Sequence, residues 1–385
     1  MNSVKNMANS LNKKKQKLWT IIINCYNSTK TICHTLNSLN LENDDIAVFV
    51  IDDGSTDHLK QKINYFLKKY RKTLFYFHKK NSNWGGCINF IRDQINSKYV
   101  SILDSDDEYN TNSFNQIINI MKTIDDTPDL LLVNYCLNFL DNGKIVKKRI
   151  SKTSEKIKFK ILTKIKLFSF ITIHATIFKS EIFKKIKLLP CHVCYTDTLL
   201  IYYVLQHVKK IGYINKNIYL YNYFIRKGNQ SISIERSINN FDHFTLILEH
   251  LLKNPLPQNS VKKRIIVQAK IIKYWIFWIL EIISQSYNLP KDKKIQILKN
   301  CMEKINNFVK NHRHYRFAFK NFIFKILNFF PSFFICFAKL ITCFAKRSLL
   351  ATTTYNPYIK KKIKLEIKIA NKQYSSIQNK KKILD

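Results

Sequence analysis

Short apolar runs and helical repeats alternate over the first 140 residues. Trp19 to Ile23 is an apolar run, broken by Asn24-Cys25-Tyr26-Asn27. Between Thr29 and Leu39, apolar residues at 32, 36 and 39 have helical spacing. Ile46 to Ile51 is a β-branched run ending in Asp52-Asp53-Gly54-Ser55. From Asp57 the pattern predicts a helix with Leu59, Ile63, Phe66 and Leu67 on one face. Leu74 to Phe77 reads as a third strand, Asn83 to Gly86 as a glycine-containing turn, and the stretch through Ile95 as helix. Tyr99 to Leu103 is a fourth strand, ending in Asp104-Ser105-Asp106-Asp107. Strands alternating with helices predict an α/β fold, a mostly parallel sheet flanked by helices.

The polar clusters fall just past strand ends. In an open α/β sheet, ligands bind in the crevice outside the carboxyl ends of the strands. The clusters at 24–27, 52–55 and 104–107 therefore converge on one edge of the sheet.

Downstream, two apolar stretches between Asp129 and Lys148 flank Asp141-Asn142-Gly143, the pattern of a β-hairpin. Residues 151–235 are mixed, and 240–310 read as helices. The expected organisation is a basic tail over 1–17, a catalytic α/β domain over 18–239, a helical region over 240–350 and a second basic tail over 351–385. Within 317–350, phenylalanines interleave with lysines, and the longest charge-free run is Ile326 to Ala338 with Pro331 inside. A membrane span needs about 20 apolar residues, so this run is too short. The segment suits either an anionic membrane interface or a helical hairpin packed on the core.

The chain has 385 residues, with 65 lysines and arginines against 26 acids and a formal net charge of +39. Such a surplus attracts polyanions without choosing among them. Basic residues are spread throughout, and no recognition helix, zinc pattern or RNA-binding signature accompanies them, so specific nucleic-acid binding is not expected. Nine scattered cysteines do not form a disulfide framework, and reduced thiols in a cytosol fit better. Cys191 and Cys194 form one CxxC; zinc needs about four ligands and no second pair lies nearby.

The chemistry-bearing residues are acids. Several carboxylates on one tight loop after a strand make a hard-oxygen site of the kind Mg²⁺ and Mn²⁺ take, completed by substrate phosphates. Helix capping alone would not need three aspartates there. At the second strand end, Asp53 can accept hydrogen bonds from a base or ribose.

Four stretches in order, "IIINCYN", "VIDDGSTD", "NWGG" and "SILDSDDEY", resemble the family-2 glycosyltransferases of the GT-A nucleotide-diphospho-sugar transferase fold. The resemblance is close over about residues 18–140 and looser to about 235. It implies an inverting transfer from a nucleotide-sugar donor, a UDP-sugar by expectation, to a saccharide or lipid-linked acceptor in surface polysaccharide assembly. It implies a Mn²⁺ or Mg²⁺ cofactor and a cytoplasmic protein, peripheral at the inner face of the membrane. Carried over by position, Asn24, Tyr26, Asp53 and Asp104 line the nucleotide-sugar pocket, and Asp106 and Asp107 bind the metal. Asp197, in "YTDTLL", stands where a later acid acts as general base; capping of the following helix is the alternative. His174, Arg226 and Gln230 resemble positions near the acceptor or diphosphate. The chain departs from the family in having Asn24 where proline is frequent. Arg92 also sits out of the usual register, which leaves its contact with donor open.

Overall fold

The computed structural model describes residues 16–124, 127–139, 143–148, 171–223 and 234–254, with isolated positions between 290 and 307. The chain divides into two units, one ending at Arg226 and the other starting at Lys227.

Among the described residues of the first unit, nine strands form one sheet: β1 (Lys17–Cys25), β2 (Ile46–Asp52), β3 (Leu74–His78), β4 (Ser97–Asp104), β5 (Glu108–Tyr109), β6 (Leu130–Phe139), β7 (Lys144–Lys148), β8 (Thr176–Lys179) and β9 (Ile211–Tyr223). The spatial order is β3-β2-β1-β4-β8-β6-β9-β5, with β7 on β6. The β1–β2, β2–β3, β1–β4 and β6–β9 pairs are parallel, and those involving β5, β7 and β8 are antiparallel. β1 to β4, β6 and β9 thus run one way and β5, β7 and β8 the other. Every residue of β2 is buried, as a strand covered on both faces requires. β1 begins at Lys17, inside the expected tail.

Helices α1 (Ile32–Asn37), α2 (Leu59–Lys69) and α4 (Thr111–Lys122) cover one face. Ile32, Leu36, Leu59, Ile63, Phe114, Ile117 and Met121 pack there against Trp19, Ile21, Ile23, Val48 and Val50. Asn110 caps α4 by accepting the Ser113 N–H at 3.0 Å. On the other face Phe49 meets Phe77, which meets Phe90 of α3 (Asn83–Ile91) at 6.4 Å. Two further helices follow in this unit, α5 (Ser180–Lys184) and α6 (Asp197–His207).

Residues 83–86 do not form the turn expected from their glycines. They open α3, which gives way to a 3₁₀ turn at Arg92–Gln94 rather than running to Ile95. The reason is close packing. A Cβ on Gly85 would lie 2.9 Å from the Pro190 carbonyl oxygen and 3.1 Å from the Leu189 Cβ. Gly143 does what glycine does at turns, with φ +64° at the β6–β7 connection.

In the second unit, α7 (Ile234–Asn239) and α8 (Phe241–Lys253) are described, and α8 buries Phe241, Phe244, Ile247, Leu248, Leu251 and Leu252 at helical spacing. Among the described residues no helix is long and apolar enough to cross a membrane. The aromatic segment 317–350 and the two expected tails lie outside the described residues, apart from Gln16 and Lys17.

An alanine in a helix interior normally gains about 1 kcal/mol over glycine. At Gly85 the clash should reverse that sign, costing about 1–3 kcal/mol. Gly143→Ala has nothing within 4 Å of the new Cβ and should lose only about 1 kcal/mol, from its positive φ. Denaturant midpoints check this; a Gly85→Ala variant as stable as the parent would show that the α3 contact does not constrain the fold.

Candidate active site

The carboxyl edge of β2, β1 and β4 collects the expected residues. Register places Asn24 beside Ile51 of β2 and Asp104 of β4. The acidic loop then turns back on itself, with the Asp107 N–H donating to the Asp104 carbonyl at 3.1 Å. Ser105 ties it to the first helical layer: its hydroxyl lies 2.7 Å from that of Ser28, and its carbonyl accepts from Thr35 Oγ1 at 3.0 Å.

The three aspartates have different surroundings. Asp107 is 1% exposed. Its carboxylate accepts the Tyr219 hydroxyl and the Asn222 N–H, both at 2.7 Å. Burial pushes its carboxyl well above the ordinary range, and the charges of Asp104 and Asp106 add to this. Asp106 opens to solvent at the rim of the loop. Even so, the protein around it, with the Asp104 charge second, pushes its carboxyl up to about 6. Asp104 is partly buried, with Oδ2 3.3 Å from Nε2 of His174.

His174 sits in a short 3₁₀ turn, Ile173–Ala175, between Tyr219 and Tyr221, at ring separations of 4.7 and 4.9 Å. Ligand atoms of Asp104, Asp107 and His174 all lie within 4.8 Å of one another, the one such group among the described residues. The expected division placed Asp106 and Asp107 on the cation and Asp104 on the nucleotide. The structure instead gathers Asp104 and Asp107 with His174 and leaves Asp106 beside the group. Cys191 and Cys194 are not part of this group.

Asp53 directly follows β2 and is 4% exposed. Its Oδ1 accepts from Lys79 Nζ and from the Ser82 N–H. Its neighbour Asp52 is a structural acid. Asp52 accepts from Tyr76 OH, lies 3.3 Å from Nδ1 of His78 and takes the Ser55 N–H at 2.8 Å. Burial opposes ionisation of Asp52, and these hydrogen bonds outweigh it, holding its carboxyl below the ordinary range. Tyr26 is 55% exposed at the rim. Asn24 buries both amide heteroatoms without a protein hydrogen bond. Such a group costs on the order of 1–3 kcal/mol, which ordered water or a ligand rearranging the site would recover.

Asp197 is the first residue of α6, after the N-cap residue Thr196, whose side chain makes no cap bond. Burial raises the Asp197 carboxyl above its ordinary value, opposed by the Thr198 N–H and by His174, while the Asp104 charge adds to the rise. α6 packs against the Ile173–Ala175 turn that carries His174, whose imidazole meets Asp104 of the acidic loop. Arg226 and Gln230 lie outside the described residues.

Sequence reasoning missed Tyr219, Asn222 and Lys79. The alternation Tyr219, Tyr221 along β9 was a usable signal, since residues two apart share a face. Arg92, whose role the sequence left open, donates from NH1 to the Ile186 carbonyl at 2.9 Å. It supports the fold there.

Comparison with known proteins agrees with this geometry. Residues 20–187 match the family described as Glycosyl transferase family 2. The uncharacterized glycosyltransferase MG060 homolog of Mycoplasma pneumoniae is 30% identical over 251 residues, 61% of this chain and 77% of that protein. The uncharacterized glycosyltransferase MG025 of Mycoplasma genitalium is 26% identical over 244 residues, with the same shares of each chain. Among solved structures, residues 1–349 of S. aureus TarS with UDP-GlcNAc align with a TM-score of 0.54 at 20% identity, covering 74% of this chain and 81% of that one. That likeness is one of fold. The strand-end acids, the sheet order and these matches establish that the chain belongs to glycosyltransferase family 2, with a GT-A fold.

Proposed function

We propose that this glycosyltransferase carries out an inverting transfer from a nucleotide-diphosphate sugar to a hydroxyl of a saccharide or lipid-linked acceptor. Surface polysaccharide assembly at the inner face of the membrane is the setting this suits. The observation that carries the reading is Asp197: it starts α6, and α6 packs against the Ile173–Ala175 turn that carries His174. Burial makes it a stronger base than an ordinary aspartate, and the helix N-terminus faces it with N–H groups.

Asp197 takes the proton as the acceptor hydroxyl attacks the anomeric carbon, and the nucleoside diphosphate leaves from the opposite side. Base catalysis of this kind contributes about 10²- to 10⁴-fold. Asp53, fixed by Lys79 and Ser82, is an acceptor for a base N–H, and Asn24 and Tyr26 complete the nucleotide side. A uracil base fits, and S. aureus TarS, of the same fold, has been seen with UDP-GlcNAc and with UDP. His174, with Arg226 and Gln230 from the stretch beyond β9, is assigned to the diphosphate and acceptor side.

A Mn²⁺ or Mg²⁺ ion fits the acidic loop, because oxygen donors dominate the cluster and three neighbouring carboxylates repel one another without a cation. Asp104, Asp107 and His174, whose ligand atoms lie within 4.8 Å of one another, would hold it, with Asp106 at the solvent side of the group. When bound, the ion neutralises charge developing on the leaving diphosphate.

Asp197→Asn should lose at least 100-fold in kcat while donor affinity by calorimetry stays within about twofold. Retained turnover would remove Asp197 as the base. The pH profile gives an independent check. A base must be deprotonated, and burial raises the Asp197 carboxyl, so kcat should fall on acidification at a pH above the ordinary aspartate value of about 3.9. An acid limb at or below that value would contradict the assignment.

EDTA should abolish nucleoside diphosphate release from a responsive donor, and Mn²⁺ should restore it. Asp106→Ala should weaken metal-dependent donor binding. Full activity in EDTA would rule out a metal requirement.

A further inference from the structure

The segment between α5 and α6 delivers Asp197, yet residues 187–195 contain no helix or strand. Two of its non-glycine residues, His192 and Tyr195, hold left-handed backbone with φ of 59° and 63°. Such conformations persist where surrounding structure over-determines them. Here the over-determination comes from one face of α3 and from the turn before it.

Gly85 and Asn89, four apart, line one side of that helix, and Arg92 opens the 3₁₀ turn that follows it. Gly85 lets the helix backbone approach Pro190 and Thr196: a Cβ there would lie 2.9 Å from the Pro190 carbonyl oxygen and 3.0 Å from Thr196 Oγ1. Asn89 grips the Leu189 peptide from both sides. Its Nδ2 donates to the Leu189 carbonyl at 2.8 Å, and its Oδ1 accepts the Leu189 N–H at 2.9 Å. Arg92 holds the Ile186 carbonyl at 2.9 Å. Ahead of the helix, the Ser82 carbonyl accepts the His192 N–H at 2.9 Å. The Ser82 N–H itself donates to Asp53 Oδ1 at 2.9 Å.

We infer that Asn89 is a positioning residue for catalysis: its two-sided grip on Leu189, with the Ser82–His192 bond, sets where Asp197 stands. The inference rests on the reading of Asp197 as the base. It also identifies a continuous hydrogen-bonded route. Asp53 on the donor side holds Ser82, Ser82 holds His192, and five residues later the chain reaches Asp197. Asn89 touches neither donor nor acceptor on this account. It acts by keeping an irregular segment in one conformation, and a misplacement of about 1 Å at a reacting group can cost about 10²-fold in rate.

The experiment uses the full chain and compares Asn89→Ala, Asn89→Asp, Asp197→Asn and the double variant Asn89→Ala/Asp197→Asn. Asn89→Asp keeps the acceptor for the Leu189 N–H and places a carboxylate against the Leu189 carbonyl, so it retains half of the grip. Asn89→Ala should lower kcat by about 10- to 100-fold with donor affinity by calorimetry within about twofold. Amide hydrogen exchange over 187–197 should rise in Asn89→Ala, and less in Asn89→Asp. The double variant should be no slower than Asp197→Asn alone, because a residue acting through Asp197 has nothing left to position.

Three results would overturn the inference. One is unchanged kcat in Asn89→Ala. Another is unchanged exchange over 187–197. The third is a double variant slower than Asp197→Asn by the full Asn89→Ala factor, which marks a merely structural role. The reading of Asp197 fails separately, in retained turnover by Asp197→Asn alone. Should Asn89→Ala not fold, Asn89→Asp carries the same comparison.

Discussion

The Tyr219 hydroxyl is the point on which the acidic loop depends. It accepts the Asp104 N–H at 3.1 Å and donates to the Asp107 carboxylate at 2.7 Å. Its ring packs against His174 on one side and Tyr109 at 5.7 Å on another. One side chain of β9 thus fixes both ends of the turn after β4 and the imidazole beside it. The residue is 1% exposed. In such surroundings a charged acceptor gains more from a hydrogen bond than it would in water, and an unmatched one costs more. Without Tyr219, Asp107 would be a buried carboxylate short of a donor.

This dependence explains what the sequence discloses and what it withholds. The parallel half of the sheet was legible because its strands are contiguous apolar runs ended by polar clusters: Trp19 to Ile23, Ile46 to Ile51, Leu74 to Phe77 and Tyr99 to Leu103. Each strand end lies close in sequence to the residues it positions. β9 was not legible in the same way. Its pairing with β6 joins residues about 80 positions apart, such as Leu130 with Ile211 and Tyr135 with Tyr219, and no local pattern encodes that register. Tyr219 and Asn222 acquire their roles only through that pairing. The aspartates of one loop likewise look alike in sequence. Burial and donor geometry separate Asp107, which anchors, from Asp106, which meets solvent.

The glycines of α3 show a second limit of local reading. A glycine suggests a turn when positive φ is the reason for it, as at Gly54 and Gly143. Gly85 is there for a different reason, which is the absence of a Cβ where a second segment passes. That reason lies more than 100 positions downstream, at Leu189 and Pro190. Asn89 and, in the 3₁₀ turn after α3, Arg92 belong to the same contact, so the three residues become intelligible together once the segment leading to Asp197 is laid beside them.

Charge acts on two scales in this protein. A net charge of +39 surrounds the molecule with a field that draws in anions, including a nucleotide diphosphate. At the carboxyl edge of the sheet the sign reverses locally, with Asp104, Asp106 and Asp107 on one loop and Asp197 within electrostatic reach. A diphosphate steered to this edge would meet carboxylates, and at short range with little water between, that repulsion outweighs the distant attraction. A divalent cation held by the loop, as the proposed function has it, would supply the opposite charge that removes the conflict. Lysines near the loop would not do so equally well, since they would pair with the aspartates and neutralise them before any donor arrived. Lys79 does this to Asp53, where a base N–H, not a phosphate, is the expected partner. The acidic loop has no such lysine partner among the described residues, and its nearest cationic candidate is His174, whose charge depends on protonation. The distribution of lysines around the two acids is the one that the proposed function requires, with a nucleobase at Asp53 and a diphosphate at the acidic loop.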